Sequence, residues 1–124
     1  MVHFQYENYS RSFFSSSSGQ EPVREWLKSL TRDDRRSVGE DIKTVEIGWP
    51  IGMPLIRKMD TKLWEVRINL SDGRIARVIF TVADADMVLL HGFIKKSGKT
   101  PANDLKLAKT RRDNVLREQE GGKR

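Results

Sequence analysis

The chain has 124 residues, of which 23 are Lys or Arg and 17 are Asp or Glu, so its formal net charge is +6 and its pI is near 9.8. This length supports one hydrophobic core, and we expect a single domain over residues 1–124. The lack of cysteine excludes disulfides, thiolate metal sites and a cysteine nucleophile, and two distant histidines do not suggest a zinc site. We therefore expect no metal or other cofactor, whereas the basic charge favours a polyanionic partner.

Membrane and export signals are not visible in the sequence. No apolar run approaches the roughly 20 residues of a membrane span. The N-terminal stretch MVHFQYENYSR lacks the charged start and apolar core of a signal peptide. The expected compartment is the cytoplasm, and no membrane partner is expected.

The first part of the chain predicts one strand and two helices. Aromatic and polar residues alternate roughly over residues 2–14, which is typical of an edge strand. The SSSSGQEP stretch at 15–22 predicts a loop, and Pro22 opens a helix whose apolar residues fall at 23, 26, 27 and 30. Thr31 is the predicted cap of a second helix, which ends near Gly48.

After this helical hairpin the apolar period changes from helical to alternating. In KLWEVRINL, one face of the predicted strand is apolar and consists of Trp64, Val66, Ile68 and Leu70. The other face carries Glu65, Arg67 and Asn69. The SDG stretch at 71–73 predicts a tight turn, and the returning strand places Arg77 on the same side as Arg67. A third strand over 87–96 is apolar on both faces, which favours a covered position inside the sheet.

The last element is a helix dense in Lys and Arg. Thr100 and Pro101 predict its cap and first position, and residues 119–124 are expected to be a frayed tail. Apolar positions expected to pack against the sheet are Leu105, Ala108, Val115 and Leu116. Basic positions expected to stay in water are Lys106, Lys109 and Arg112. The element order β-α-α-β-β-β-α predicts an α+β fold, with an antiparallel sheet and helices packed on one of its faces.

Positive charge is concentrated towards the end of the chain. From His91 to Arg124 ten residues are basic and four are acidic. The difference, +6, equals the net charge of the whole chain. The end of the third strand should lie beside the hairpin that carries Arg67 and Arg77, so the polar face of the sheet is expected to be positive and to bind phosphates. A solvated basic surface without a specific partner is the alternative, although arginines in mid-strand are less typical of it.

The run LWEVRINLSDGRIARVIFTVADADMVLLHGFIKKSGKTP resembles the phage-related HigB-like branch of the RelE/ParE toxin superfamily. In that branch Leu-Trp/Tyr-Glu-hydrophobic-Arg opens a strand and Leu-Leu-His-Gly-Phe-x-Lys-Lys closes the sheet. The EPVREWLKSL stretch resembles its first helix, so the similarity covers roughly residues 20–118. The resemblance implies a RelE-like fold and a type II toxin that cuts messenger RNA on the ribosome. Its implied partners are the ribosome, mRNA and a cognate helix-turn-helix antitoxin, through which alone it would reach operator DNA.

The resemblance also implies site residues. It places the basic strand residues of those toxins near Arg67 and Arg77, and the pair at the end of their last strand near Lys95 and Lys96. Cutting RNA requires loss of the 2′-OH proton, stabilisation of the phosphorane and protonation of the 5′-oxygen, and guanidinium groups suit the second task. The candidates for proton transfer are Glu65, His91, Lys95 and Lys96. Further RNA contacts are expected from Arg74, Lys99, Lys106, Lys109 and Arg112.

Several alternatives stay open at this point. His91 lies in an apolar run and would equally suit a hydrogen-bonded core residue, and Glu65 would suit a salt-bridge partner of Arg67. The HigB-like branch commonly has glutamate at this place, where some RelE-like toxins have a basic residue, so the base is not transferred from the resemblance. A ParE-like DNA gyrase inhibitor without catalysis, or a degenerate toxin that serves only as an antitoxin-binding corepressor, would share the fold.

Overall fold

The computed structural model describes residues 10–49, 56–95 and 100–122, in which five strands form one sheet and three helices pack on it. The strands are β1 (Ser10–Phe13), β2 (Ile56–Asp60), β3 (Leu63–Asn69), β4 (Ile75–Ala83) and β5 (Asp86–Lys95). The helices are α1 (Pro22–Ser29), α2 (Arg32–Gly48) and α3 (Ala102–Gly122). None of the helices in these ranges is both long and apolar enough to cross a lipid bilayer.

The sheet has the strand order β1-β5-β4-β3-β2. Strands β2 to β5 form an antiparallel meander, and β1 pairs with β5 in parallel, because α1 and α2 provide the long connection that parallel pairing needs. The predicted α+β class is confirmed. Strand β2 was not predicted, because its sequence IRKMD has no apolar alternation and it forms by pairing with the strongly patterned β3.

Two local predictions of turn and cap geometry are confirmed. The Thr31 hydroxyl accepts a hydrogen bond from the Asp34 amide at 3.2 Å and thereby caps α2. Asp72 and Gly73 have positive φ angles of 62° and 72° in the turn between β3 and β4. Residues 2–9 of the predicted first strand lie outside the described residues, whereas β1 itself falls within the predicted range.

Helices α1 and α2 cover one face of the sheet, and the residues predicted to lie there do so. The first core unites apolar side chains of the two helices with the apolar faces of β3 and β4, including Val23, Val38, Ile42, Val45, Val66, Ile68, Val78 and Phe80. Trp64 packs at its margin with Trp49, the two ring centroids being 4.8 Å apart in an edge-on arrangement. Burial of these side chains fixes the helical hairpin on this face.

Helix α3 lies on the opposite face, so the prediction that all helices pack on one face is wrong. A second core there contains Leu63, Ile79, Val88, Leu90 and Ala108, against which Leu105 and Val115 also pack. Leu116 is half-buried. The face that alternation marked as polar is therefore buried at Glu65 and Arg77, whereas Arg67 and Asn69 of β3 are exposed on it. Helix α3 also runs past residue 118, where it was expected to end, to Gly122.

At Gly92, strand β5 lies close to the Trp26 ring of α1. A Cβ atom at this position would lie 2.4 Å from Cε3 of the Trp26 ring, well inside van der Waals contact. Only the absence of a side chain allows the strand to lie flat against this rigid indole. His91 and Phe93, the neighbours of Gly92 along the strand, consequently lie on a backbone whose opposite face packs against the Trp26 ring.

Candidate functional site

Three rows of side chains cross β3, β4 and β5 on the α3 face of the sheet. The middle row, given by the strand register, consists of Arg67, Arg77 and Phe93. The row nearer to α3 consists of Glu65, Ile79 and His91. The row on the far side consists of Asn69, Ile75 and Lys95. Directly paired residues point to the same face, so the register brings these predicted site residues together.

Arg77 and Glu65 form a buried ion pair beneath the start of α3. Their exposed fractions are 3% and 2%, and Arg77 Nη1 donates to Glu65 Oε1 at 3.2 Å. The Thr100 hydroxyl donates to the other Glu65 oxygen and accepts from Arg77 Nη1 at 3.4 Å. Two charges tolerate such burial because each compensates the other and the Thr100 hydroxyl adds a hydrogen bond to each. Glu65 therefore pairs with Arg77 and not with Arg67, the alternative left open by the sequence, and Arg77, which was expected on a phosphate-binding face, is buried.

Arg67 lies directly opposite Arg77 and is exposed. Within residues 10–49, 56–95 and 100–122 it forms no ion pair. A guanidinium keeps its charge at any physiological pH and presents several N–H donors in one plane, which matches two oxygens of a phosphate. Of the two cross-strand partners Arg67 and Arg77, Arg67 is thus the one that has the exposure and the chemistry for binding an anion.

His91 faces α3 and pairs with its first turn. Its Nε2 lies 2.5 Å from Asp104 Oδ1, and its ring stacks on Phe93 with 5.5 Å between centroids and 30° between planes. The imidazole side chain is 16% exposed, so His91 is hydrogen-bonded, as the core-residue alternative expected, but it is not one of the buried core residues. A carboxylate on one ring nitrogen fixes the tautomer and leaves Nδ1 as the basic atom.

A β-bulge directs His91 to this face. The register pairs Phe80 with Leu89 and Ile79 with His91, so Leu90 is an extra residue in β5. Leu90 and His91 consequently both face α3, whereas simple alternation would direct His91 to the other core. The bulged carbonyl of Leu90 accepts a hydrogen bond of 2.7 Å from Arg111 Nη1.

Other predicted basic residues are engaged in structural ion pairs. Arg74 donates to both carboxylate oxygens of Asp34, at 2.8 and 3.0 Å, and these bonds lower the pKa of that carboxyl. Arg112 donates to Asp60 at 2.8 Å and to the Thr61 carbonyl at 2.8 Å, so the prediction that it stays in water is wrong. Its hydrogen bond is also the main cause of the lowered pKa of Asp60.

The remaining predicted cations differ in their setting. Lys106 is exposed on α3, and Lys109 is half-exposed with its Nζ atom 3.9 Å from Asp60. Lys95 is half-buried at the end of β5, in the row of Asn69. Lys96 and Lys99 lie outside the described residues. Among the described residues, exposed cations at or beside the rows include Arg67 on β3 and Arg57 on β2, which pairs with Glu65 in register.

Sequence reasoning missed three residues of this site, which are Phe93, Thr100 in its contact with Glu65, and Asp104. Thr100 was predicted as a helix cap, yet its hydroxyl serves the buried ion pair. Asp104 carries a signal in the sequence, since an acidic residue in the first turn of a basic helix opposes the local charge trend. Only the bulge at Leu90 brings it to His91, and a bulge has no clear sequence mark here.

Comparison with known proteins gives the chain a family. No curated protein matches it. The family model of the phage-derived Gp49-like proteins (DUF891) matches residues 25–113, which include α2, the meander and the first half of α3. The match contains all three side-chain rows and the His91–Asp104 pair. The chain therefore belongs to the phage-derived Gp49-like family (DUF891), a family of RelE-like, toxin-related proteins.

Proposed function

We propose that the protein is a HigB-like toxin of a type II toxin–antitoxin pair and that it cuts messenger RNA on the ribosome. The observation that carries this proposal is the placement of exposed Arg67 and the His91–Asp104 pair on one sheet face in a chain of a RelE-like family. Strand spacing of about 4.8 Å and a rise of about 3.4 Å per residue separate the Cα atoms of Arg67 and His91 by roughly 12 Å. A phosphodiester fits between side chains that converge from such positions.

In the proposed reaction, His91 Nδ1 takes the proton from the 2′-OH of the nucleotide before the cut. The 2′-oxygen forms a bond to phosphorus while the bond from phosphorus to the 5′-oxygen breaks. Arg67 stabilises the added negative charge on the phosphorane oxygens. Lys95 gives a proton to the departing 5′-oxygen, and the products are a 2′,3′-cyclic phosphate and a 5′-hydroxyl.

The other residues of the site support these two groups. Asp104 is a positioning residue that keeps the proton of His91 on Nε2 and the lone pair on Nδ1. The buried Glu65, Arg77 and Thr100 cluster holds the start of α3, and hence Asp104, against the sheet. Arg77 thus supports the site from below in this scheme, and Arg67 is the arginine that touches the phosphate.

The ribosome and an antitoxin are the proposed partners. Exposed basic residues such as Lys106 would contact ribosomal RNA phosphates, in keeping with the net charge of +6. A small helix-turn-helix antitoxin would neutralise the protein and carry it to operator DNA. Co-expression with the neighbouring open reading frame tests this partner, with restored growth and a copurifying complex as the expected result. Failure of every neighbouring gene to restore growth would contradict the toxin assignment.

The activity is tested by inducing the protein and pulse-labelling protein and DNA synthesis separately. We expect protein synthesis to stop first, and purified protein to cut a ribosome-bound message and leave a 2′,3′-cyclic phosphate. Early arrest of DNA synthesis with intact messages would instead indicate gyrase inhibition. Unimpaired growth together with antitoxin binding would indicate a corepressor that has lost activity.

A further inference from the structure

Arg111 of α3 is a half-buried cation whose partners are a backbone carbonyl and an aromatic ring. Its Nη1 donates to the Leu90 carbonyl at 2.7 Å, and its guanidinium carbon lies 5.5 Å from the centroid of the Phe14 ring. Arg74 and Arg112 each bind a carboxylate, but Arg111 forms no ion pair with the residues that the structure describes. Burial lowers the pKa of its guanidinium, so this position costs free energy that no charge pairing offsets.

The carbonyl that Arg111 binds belongs to the extra residue of the β-bulge in β5. The register on β4 passes from the partner of Leu89 directly to the partner of His91, so Leu90 has no paired residue there. On the other side of β5, pairing with β1 ends at Leu89. A buried carbonyl without a hydrogen bond is costly, and a bulge disrupts the regular ladder. Arg111 therefore donates to the carbonyl of the residue that the ladder leaves unpaired.

We propose that Arg111 is a positioning residue of the candidate site, which fixes the bulge at Leu90 and thereby keeps His91 directed towards α3. This inference rests on the proposed function, in which His91 takes the proton from the 2′-OH. Helix α3 would then hold this histidine at two points. Asp104 binds the imidazole, with 2.5 Å between Oδ1 and Nε2, and Arg111 binds the backbone one residue before it.

The bulge must be fixed because the direction of His91 depends on it. Without an extra residue before it, the alternation of β5 would direct His91 to the face that α1 and α2 cover. Asp104 binds only the ring, whereas Arg111 binds the backbone itself. Loss of the guanidinium would leave the Leu90 carbonyl without this donor, and a shift of the bulge would relieve that cost. A displacement of about 1 Å at a catalytic group lowers a rate on the order of 100-fold.

The competing explanation is that Arg111 contributes only to stability. It joins α3 to the sheet, and the Phe14 ring below its guanidinium belongs to the second core. A purely stabilising contact would lower the free energy of unfolding when it is removed, but the orientation of His91 in the folded protein would not change. The two explanations therefore differ in a property of the folded state.

The orientation of His91 can be measured without cleavage. In wild type, the carbon-bound protons of its ring should give nuclear Overhauser contacts to Phe93 and to Asp104, since both adjoin the imidazole. His91→Gln identifies these signals among those of the two histidines. Arg111→Met keeps an apolar stem without the donors and should lose these contacts while folded. Arg111→Lys should retain them, because its ammonium still donates to the carbonyl.

Single-turnover cleavage provides the second measurement. Arg111→Met should lower the rate at saturating ribosome-bound message roughly 10- to 100-fold. The half-saturating concentration should stay as in wild type, because the phosphate contact of Arg67 does not depend on the bulge. Arg111→Lys should recover most of the lost rate.

Arg35→Met is the matched control. This arginine also donates to backbone carbonyls, those of Leu27 at 3.0 Å and Leu30 at 2.9 Å, but at the junction of α1 and α2. Its loss should leave the His91 contacts and the cleavage rate unchanged.

Circular dichroism establishes which variants fold. If Arg111→Met does not, Arg111→Gln takes its place with the same expectation, because its amide is too short to reach the carbonyl. Unchanged His91 contacts in the folded Met or Gln variant, or their equal loss in Arg35→Met, would overturn the positioning role. A wild type that cuts no ribosome-bound message would overturn the proposed function, while the Overhauser contacts would still decide whether Arg111 orients His91.

Discussion

Arg67 and Arg77 are direct cross-strand partners on β3 and β4, yet one guanidinium is exposed and the other is buried. Like charges directly opposite each other destabilise a sheet. Glu65 resolves this conflict, because it neutralises Arg77 within the protein and leaves Arg67 to the solvent. The two arginines therefore have separate roles, and substitutions should separate an effect on activity from an effect on stability.

Arg67→Ala should slow cleavage of a ribosome-bound message roughly 30- to 1000-fold. The physical reason is the loss of about 2 to 4 kcal/mol of stabilisation for a charge that grows in the transition state. Single-turnover cleavage measures this effect, and circular dichroism should show an unchanged fold. Arg36→Ala is the matched control, since Arg36 is exposed on α2 at the other face of the sheet. Wild-type rates for a folded Arg67→Ala variant would refute the assigned phosphate contact.

Arg77→Ala should unfold at lower urea concentration, with a loss of about 3 to 5 kcal/mol in the free energy of unfolding. Removal of one partner leaves the Glu65 charge buried without its counterion. The double variant Glu65→Leu, Arg77→Met should recover most of this loss, because an apolar pair replaces an ionic pair of similar volume. Unchanged urea midpoints for Arg77→Ala would show that the buried pair contributes little to the fold.

His91→Gln should lower the cleavage rate roughly 100- to 10,000-fold, the usual contribution of a positioned acid or base. The pH–rate profile of wild type should also contain an ionisation that this variant lacks. Asp104→Asn should keep the fold, slow cleavage less than His91→Gln and shift that ionisation, because Asp104 acts through the imidazole. A purely structural role of Asp104 would change stability and leave the pH of the ionisation where it was.

Asp34→Asn should make the protein less sensitive to acid. The hydrogen bonds from Arg74 lower the pKa of Asp34 below its ordinary 3.8, so the stability that this carboxylate contributes is complete above 3.8 and is lost as the pH falls through the lower, folded-state value. Urea unfolding at a series of acidic pH values should show a shallower decline for Asp34→Asn than for wild type. Asp33→Asn, in an exposed position one residue away, should decline as wild type does.

The sequence was sufficient for the described elements other than β2 and for one of the two cores. Alternation along β3 and β4 and helical spacing in α1 and α2 identified the side chains of the first core, because burial on one face leaves a regular period. The failures concern the other face. On β3 that face consists of Leu63, Glu65, Arg67 and Asn69, which show no apolar period, and only the strand pairing shows that Glu65 meets Arg77 beneath α3.

The candidate site was predicted only in outline for the same reason. The sequence placed Arg67, Arg77 and His91 in one region. Which charged side chains form ion pairs, however, depends on distances between residues far apart in the sequence, and a local pattern does not give these distances. Arg74 shows this most clearly, because its partner Asp34 lies 40 positions earlier and became visible only when α2 was packed on the sheet. The bulge at Leu90, which turns His91 towards Asp104, is another feature of pairing that has no local sequence mark.

Gly92 has a consequence for how such a protein can lose its activity. The Trp26 ring occupies the place of the side chain that residue 92 lacks, so even a single added methyl group must displace the indole, β5 or α1. Displacement of β5 would move His91 and Phe93 together, although the substitution lies on the rear of the strand. Under the proposed function, host cells that survive induction of this protein should carry inactivating mutations at Gly92 and Trp26 as well as among the charged residues of the α3 face.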